Sequence, residues 1–391
     1  MTSERTNRKI YRDTNLQIIF GITLMAVMGV ATITPAFPAI AGKMQISAQK
    51  VGLLITVFTL PGVVMTPVLG ILADRYGRKK IVIPALMLFG VAGTACFFAR
   101  DFSLLLLLRF FQGMGGGSLG SINTTLIGDL YSGRERAAAM GYNASVLSMG
   151  TASYPLIGGA LAVIGWYYPF LLSAVAVPIG FLVLFKLKNP EPKKPESMRE
   201  YFGNIRKSIN VQVIGLFCVS VLTFVILYGV YLSFFPFVVK NSFNGSSVTI
   251  GLLMSAMSVT TAVTASQLGR LTGRFQVKRL MLAGFVAYGF ALALIPFMPD
   301  IWLLLIPTLI FGLGHGVNIP CLLTLMSGFA PLEHRAAFMS INSMVLRTGQ
   351  TIGPPLIGIF FTIGGIQIAF VAGSIIAMVM LVTIAFTLKE Q

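Results

Sequence analysis

Residues 70–80 read GILADRYGRKK, and residues 269–279 read GRLTGRFQVKR. Each is a polar knot between two long apolar runs. In the first, Gly70 lets two helices approach closely and Asp74 sets an anion at the edge of the apolar run. Gly77 can turn the chain, and Arg78, Lys79 and Lys80 follow as cations. The second knot keeps Gly269, Arg274, Lys278 and Arg279 but carries Gly273 where the first has Asp74. The two lie 199 residues apart, and the same offset aligns much more. Gly52 falls on Gly251, Arg75 on Arg274, Asp101 on Asp300, and Gly113, Gly115 and Gly117 on Gly312, Gly314 and Gly316. Further along, Arg136 meets Arg335, Asn143 meets Asn342, Gly150 meets Gly349 and Pro155 meets Pro354. One constant, gap-free offset across five apolar runs is the mark of a duplicated half, and paired halves suit a route opened alternately at each end.

Working outward from the knots, apolar runs long enough to cross a bilayer recur along the whole chain, each needing about 20 residues. They are predicted at 16–40, 48–72, 80–99, 103–126, 136–160, 166–186, 210–238, 247–268, 279–298, 301–325, 336–360 and 365–388. Their length and lack of alternation argue for helices over barrel strands. The 391 residues are 55% hydrophobic and only 10% charged, which excludes an ordinary soluble enzyme. The expected fold is therefore an all-α membrane protein with twelve transmembrane helices in two duplicated six-helix bundles. Its divisions are a tail at 1–15, one bundle at 16–186, a linker at 187–209, a second bundle at 210–388 and a tail at 389–391. Pro190, Pro192 and Pro195 make that linker discontinuous. The first run is too long for the apolar core of a secretory signal, so it is kept as a helix.

The net charge of +17 invites a nucleic-acid reading until its placement is examined. Of the 29 Lys and Arg, 23 fall on the side shared by the two termini and four on the other. The positive-inside rule makes the termini cytoplasmic and explains the excess without nucleic acid. Arg109 and Arg347 are the two that lie within spans. An unpaired charge facing lipid is costly, so each must face a wet cavity or a partner in the bundle. Cys96, Cys218 and Cys321 sit in apolar runs and form neither a zinc pattern nor a disulfide framework.

The loop at 70–80 resembles the signature loop of the major facilitator superfamily of secondary transporters. The resemblance implies that Asp74 and Arg78, with Asp129, help to close the cytoplasmic face. RFFQGMGGG, beginning at Arg109, is similar to the helix-4 motif of proton-coupled efflux members of that superfamily. It implies a coupling or switching role for Arg109 and Gln112, the alternative being a strut bonded to carbonyls of a neighbouring helix. Gly141, Gly150, Pro155, Gly158 and Gly159 resemble the helix-5 motif of exporters, with Tyr154 where the family has glycine. Gly353 and Pro354 repeat the motif in the eleventh run, beside Arg347 and Gln350. Arg347 can serve as a second switch, lock the helices together or receive an anionic group.

Small residues at these spacings permit backbone-close packing, which serves export and import alike. Met28, Phe58, Asn123, Tyr228, Tyr231, His315, Asn318 and Gln350 complete the expected substrate cavity. No Asp or Glu lies near the middle of a span; a proton path could use Asp129 or His315, assisted by Arg109. Coupling to another solute, or simple facilitation, stays open. No Walker loop is present, and two histidines give little support to a membrane enzyme.

The expectation is a monomeric exporter of amphipathic small molecules in the inner membrane, coupled to protons and in contact with membrane lipids, with no cofactor and no metal. A specific metabolite, sugar, siderophore or lipid-like compound is the alternative cargo.

Overall fold

The computed structural model describes residues 10–188, 210–329 and 335–388. The linker at 189–209, the tails at 1–9 and 389–391, and the side chains of Ile71, Asp74 and residues 335–340 lie outside that description. Among the described residues, eleven helical segments are long and apolar enough to cross a membrane. They are α1 (Thr14–Met44), α2 (Ala48–Tyr76), α3 (Arg78–Phe98), α4 (Phe102–Leu130), α5 (Gly133–Ile164) and α6 (Tyr168–Lys186) in the first half. The second half has α7 (Val211–Phe243), α8 (Ser247–Ser266), α9 (Val277–Phe297) and α10 (Leu305–Phe329). The last segment, Ile341–Thr387, has 47 residues. A straight helix of that length spans about 70 Å, more than twice the hydrocarbon thickness. It folds back at Gly364 and Gly365, where Gly365 has φ 70°, giving α11 (335–363) and α12 (366–387). The chain therefore crosses twelve times.

Local chemistry fixes the helix starts, and it repeats. The Ser47 hydroxyl accepts from Lys50 N at 3.3 Å to cap α2, and Ser246 accepts from Thr249 N at 3.1 Å to cap α8, again 199 residues on. Asp101 caps α4 through Leu104 N, and its repeat Asp300 accepts from Trp302 N. The buried apolar residues form two cores, one from α1–α6 joined by Phe237 and one from α7–α12.

Two helix pairs carry most of the contact between halves, α5 with α8 and α2 with α11. Since α8 repeats α2 and α11 repeats α5, these are one interface seen twice, as a two-fold relation between duplicates requires. The contacts within each half repeat too. Gly113 faces the Phe58 carbonyl and Gly312 the Met257 carbonyl; Gly115 faces the Ala85 carbonyl and Gly314 that of Gly284. Every partner is offset by 199 residues. A side chain at any of these glycines would collide with backbone, so the small residues set the spacing of α4 against α2 and α3 in both copies.

Candidate functional site

The first and last described residues, Ile10 and Leu388, lie on one side of the bundle, called here the terminal side, and the opposite side is the far side. The small-residue stripe of α5 behaves differently at its two ends. Toward the far side, Gly158 lies against the Thr32 carbonyl, Gly159 against Ser247, and Gly251 of α8 against the Pro155 carbonyl. Gly150 packs on Leu24 and Val27 of α1. Toward the terminal side, Gly141 and Ser145 are exposed, and a Cβ on Gly141 would meet nothing within 4 Å. Gly141 thus departs from the packing expected of it. The α2–α11 pair agrees: Gly52 rests on Pro354 and Gly358 on Gln49, both at the far side, whereas Gly70, near the terminal end of α2, meets nothing within 4 Å. The halves are zipped at the far side and parted at the terminal side.

Arg109 is wholly buried, so it does not sit in a wet route. Its Nε donates to the Leu54 carbonyl of α2 at 3.3 Å and its Nη1 to the Gln112 side-chain oxygen at 2.6 Å. The guanidinium carbon lies 4.1 Å from the centre of the Phe58 ring, a cation–π contact made out of water. Gln112 in turn donates to the Ser173 hydroxyl at 2.8 Å, which ties α4 to α6. Phe58, expected in the cavity, instead forms this lid on the guanidinium and meets Phe89 edge-on. The geometry of Arg109 and Gln112 is that of a strut among α2, α4 and α6. Ser173 gave no sign in the sequence, because nothing local distinguishes a serine that receives a distant amide.

Asn123 also lies in the packed first half. Its amide donates to the Thr23 hydroxyl at 2.6 Å, which in turn donates to Asn143 at 2.5 Å, linking α1, α4 and α5. Met28 is buried in the first-half core, and Tyr154 folds back along α5 against Gly150, which answers how its ring is accommodated there.

The second half fills the corresponding volume with rings. Thr308 and Phe311 stand where the first half has Arg109 and Gln112. Phe311 stacks on Tyr231 with centroids 4.9 Å apart and Tyr231 on Phe235 at 4.7 Å, while Tyr288 lies tilted by 41° against Phe311 at 4.7 Å. The Tyr288 hydroxyl and His315 Nδ1 share a hydrogen bond of 2.6 Å. Asn318 is wholly buried, and its side-chain atoms have no partner among the described residues. Tyr231 and Asn318 are thus core groups in this conformation, whereas His315 keeps part of its surface accessible.

A π-helical turn at Val225–Leu232 divides the aromatic stripe of α7. Tyr231 and Phe235 turn into the stack, while Phe224 and Tyr228 stay half-buried, their centroids 5.8 Å apart. Gly353 lets α11 approach this turn at backbone distance, against Gly229 and Val225, and Gly349 meets the Val221 carbonyl just before it; Arg347 and the half-buried Gln350 lie on the same stretch of α11. Arg347 is half-buried. Its stem crosses Gly62 of α2, and its Nη2 donates to the Gly117 carbonyl of α4 at 3.3 Å. Beside it, the Thr59 and Thr351 hydroxyls share a hydrogen bond of 2.9 Å and Thr56 donates to the Thr351 carbonyl at 3.0 Å. These threonines, unmarked in the sequence, are the polar part of the junction between halves.

At the terminal side Arg78 Nε meets Asp129 Oδ2 at 3.1 Å, with both side chains nearly buried. This pair joins α3 to α4 inside the first half. The Asp74 side chain, the third member of the expected gate, lies outside the described residues. No group of His, Cys, Asp and Glu among the described residues is arranged to hold a metal.

Comparison with known proteins agrees with the architecture. The family model described as Major Facilitator Superfamily matches residues 19–241 and again 216–391. The chain is 24% identical to the bacillibactin exporter of Bacillus subtilis (strain 168), over 96% of this chain and 97% of that one. It is 24% identical to the class B tetracycline resistance protein of Escherichia coli, over 90% or slightly less of each: 89% of this chain and 89% of that protein. Its fold superposes on a mutant of the nucleoside transporter NupG with a TM-score of 0.80, at 15% identity, covering 96% of this chain and 100% of that one.

Proposed function

The chain belongs to the Major Facilitator Superfamily, and on that premise we propose that it expels amphipathic small molecules from the cytosol in exchange for protons. Secondary transport by a multi-pass membrane protein is what family and fold establish; direction, cargo and coupling are our reading. The observation that carries it is the half-zipped stripe of α5. A helix whose small face is in backbone contact at one end and exposed at the other is built to close at either end in turn. Relatives named as a bacillibactin exporter and a tetracycline resistance protein favour outward traffic. The distribution of basic residues supports cytoplasmic termini, so the parted end opens to the cytosol, where an exporter takes up its cargo. We read the protein as a monomer of the inner membrane.

Under this reading the half-buried groups Tyr228, Arg347 and Gln350, with His315 of the second half, line the route. Arg109 and Gln112 hold the first bundle rigid. Asp74, Arg78 and Asp129 weight the balance between the open and closed cytoplasmic end. His315, hydrogen-bonded to Tyr288 and partly accessible, is the group best suited to carry a proton where spans lack carboxylates. A narrower cargo, such as a siderophore, is the second reading, favoured by the match to the bacillibactin exporter over nearly the full length of both chains.

Purified protein reconstituted into vesicles, tested against amphipathic dyes and a catecholate siderophore with and without an imposed pH gradient, decides among these. Export accelerated by an inward proton gradient is expected. Flux of confirmed cargo that ignores the gradient would end the proton reading.

A further inference from the structure

We infer that Arg347 and Tyr228 bind the negatively charged headgroup of an amphipathic organic anion, which narrows the cargo class of the transport reading above and rests on it. The chain has 12 acidic residues, and none lies near the middle of a span. Arg109 and Arg347 are the fixed charges placed within the spans, and they differ in access. Arg109 is wholly buried and has Phe58, Gln112 and the Leu54 carbonyl around its guanidinium. Arg347 is half-buried at the junction, and no carboxylate pairs with it among the described residues.

Its bond to the Gly117 carbonyl is long, at 3.3 Å, and that oxygen already accepts from Thr66 at 2.8 Å. A neutral carbonyl shared in this way satisfies one N–H and leaves the positive charge without a counter-ion. Inside a membrane protein such a charge is expensive, and an incoming carboxylate or sulfonate offsets that cost through a charge-assisted, two-pronged contact. Tyr228 stands on the π-helical turn that Gly353 of α11 meets at Gly229 and Val225, and Phe224 beside it offers an apolar ring for the body of the ligand. A cationic amphipath would find no acid beside Arg347 among the described residues.

The parted end is suited to the same cargo. Arg75, Arg134, Arg136, Arg270 and Arg274 are all exposed around it, with Glu135 as the opposing charge among them. A cleft with a mouth of mainly one sign concentrates solutes of the other, more strongly at low salt.

The rival explanation is that Arg347 serves only as a donor latching α11 to Gly117. Glutamine keeps an N–H donor without charge and lysine keeps charge without the planar fork, so the two variants separate the roles. The probes are three dansyl-labelled alkyl chains identical except for the end group: carboxylate, methyl ester and primary amine. Binding to purified protein and flux into vesicles are both measured. Expected is a preference for carboxylate over ester over amine. The ratio of carboxylate to ester affinity should fall at least tenfold in Arg347→Gln, recover in part in Arg347→Lys, and hold in Lys43→Gln, a distant exposed control. Equal affinity for the three probes, or a ratio unmoved by Arg347→Gln, would overturn the inference. Carboxylate binding that depends on Arg347 without outward flux would leave the anion site standing and remove the export reading instead.

Discussion

The Arg109 guanidinium donates to the Gln112 side-chain oxygen at 2.6 Å, one turn along α4, where neither residue is open to solvent. The pair turns an internal charge into a brace: Leu54 on α2 and Ser173 on α6 are both reached from it. Replacing Arg109 by Ala leaves the Gln112 oxygen and the Leu54 carbonyl short of a donor and a hole beneath Phe58. A loss of about 2–4 kcal/mol is expected from the cavity and unmet hydrogen bonds. Thermal unfolding in detergent should show it, and reconstituted flux should fall alike with and without a pH gradient. Flux lost only under the gradient would return Arg109 to proton coupling.

Gly159 and Gly141 lie on one stripe of α5, yet a methyl group at each should act in opposite directions. At Gly159 it would strike Ser247 and resist closure of the far side; at Gly141 it meets nothing while the terminal side is parted. Spin labels at residues 100 and 244 report the far side. Gly159→Ala should lengthen their separation, and Gly141→Ala should leave it short. A bias of about 1–3 kcal/mol is enough to change the populations visibly. Identical distance distributions for both variants would deny the stripe its part in gating.

The Arg78–Asp129 pair sits at the moving end but joins helices of one half. Arg78→Gln and Asp129→Asn should each shift the balance of open and closed terminal ends, and the double variant should do little more than either alone. Partners that couple in this way show interaction energies of about 0.5–3 kcal/mol. Strict additivity in a distance-based gating measurement would show that the pair does not act as a unit.

Asp13 caps α1, accepting from Asn15 N at 2.8 Å and from the Tyr131 hydroxyl at 2.9 Å. Burial pushes its carboxyl upward, but the Tyr131 hydroxyl and the Asn15 and Leu16 N–H groups outweigh it, leaving the carboxyl below its ordinary range. Burial and then the charge-bearing partner Asp13 push the Tyr131 phenol well above the usual value. A carboxyl lowered by folding stabilises above its unfolded value of about 3.9, and that contribution fades as pH falls through the folded value. The unfolding temperature of wild type should therefore drop more steeply below about pH 4 than that of Asp13→Asn. Parallel curves would mean that the cap contributes nothing measurable.

The orientation is open to direct test. Single cysteines placed at residue 391 and in the 187–209 linker should resist an impermeant thiol reagent in intact cells, while one at residue 244 reacts, since the basic residues hold the first two inside. Labelling of the linker without permeabilisation would reverse the topology.

Twelve crossings and duplicated halves, with the last two spans kept separate, were legible because each rests on local composition. Apolar length decides a crossing, and a constant offset declares a copy even where side chains differ; the bend at Gly364 and Gly365 came from the structure. The offset even anticipated contacts: Gly113 and Gly312 meet carbonyls 199 residues apart. Side-chain environment was another matter. Arg109 and Arg347 are alike in sequence, each a cation one turn from a glutamine, or nearly so, in an apolar run. Only tertiary structure separates them. Phe58, Gln112 and Ser173, drawn from three helices, seal the first, whereas the approach of α11 to the π-helical turn of α7 leaves the second half-buried at the junction. The state of the gate was equally beyond the sequence, since the same small residues serve both ends of α5. Composition and periodicity act along one chain and fix what must be buried in lipid; which side chains meet, and which end is zipped, depends on contacts between segments that are distant in sequence.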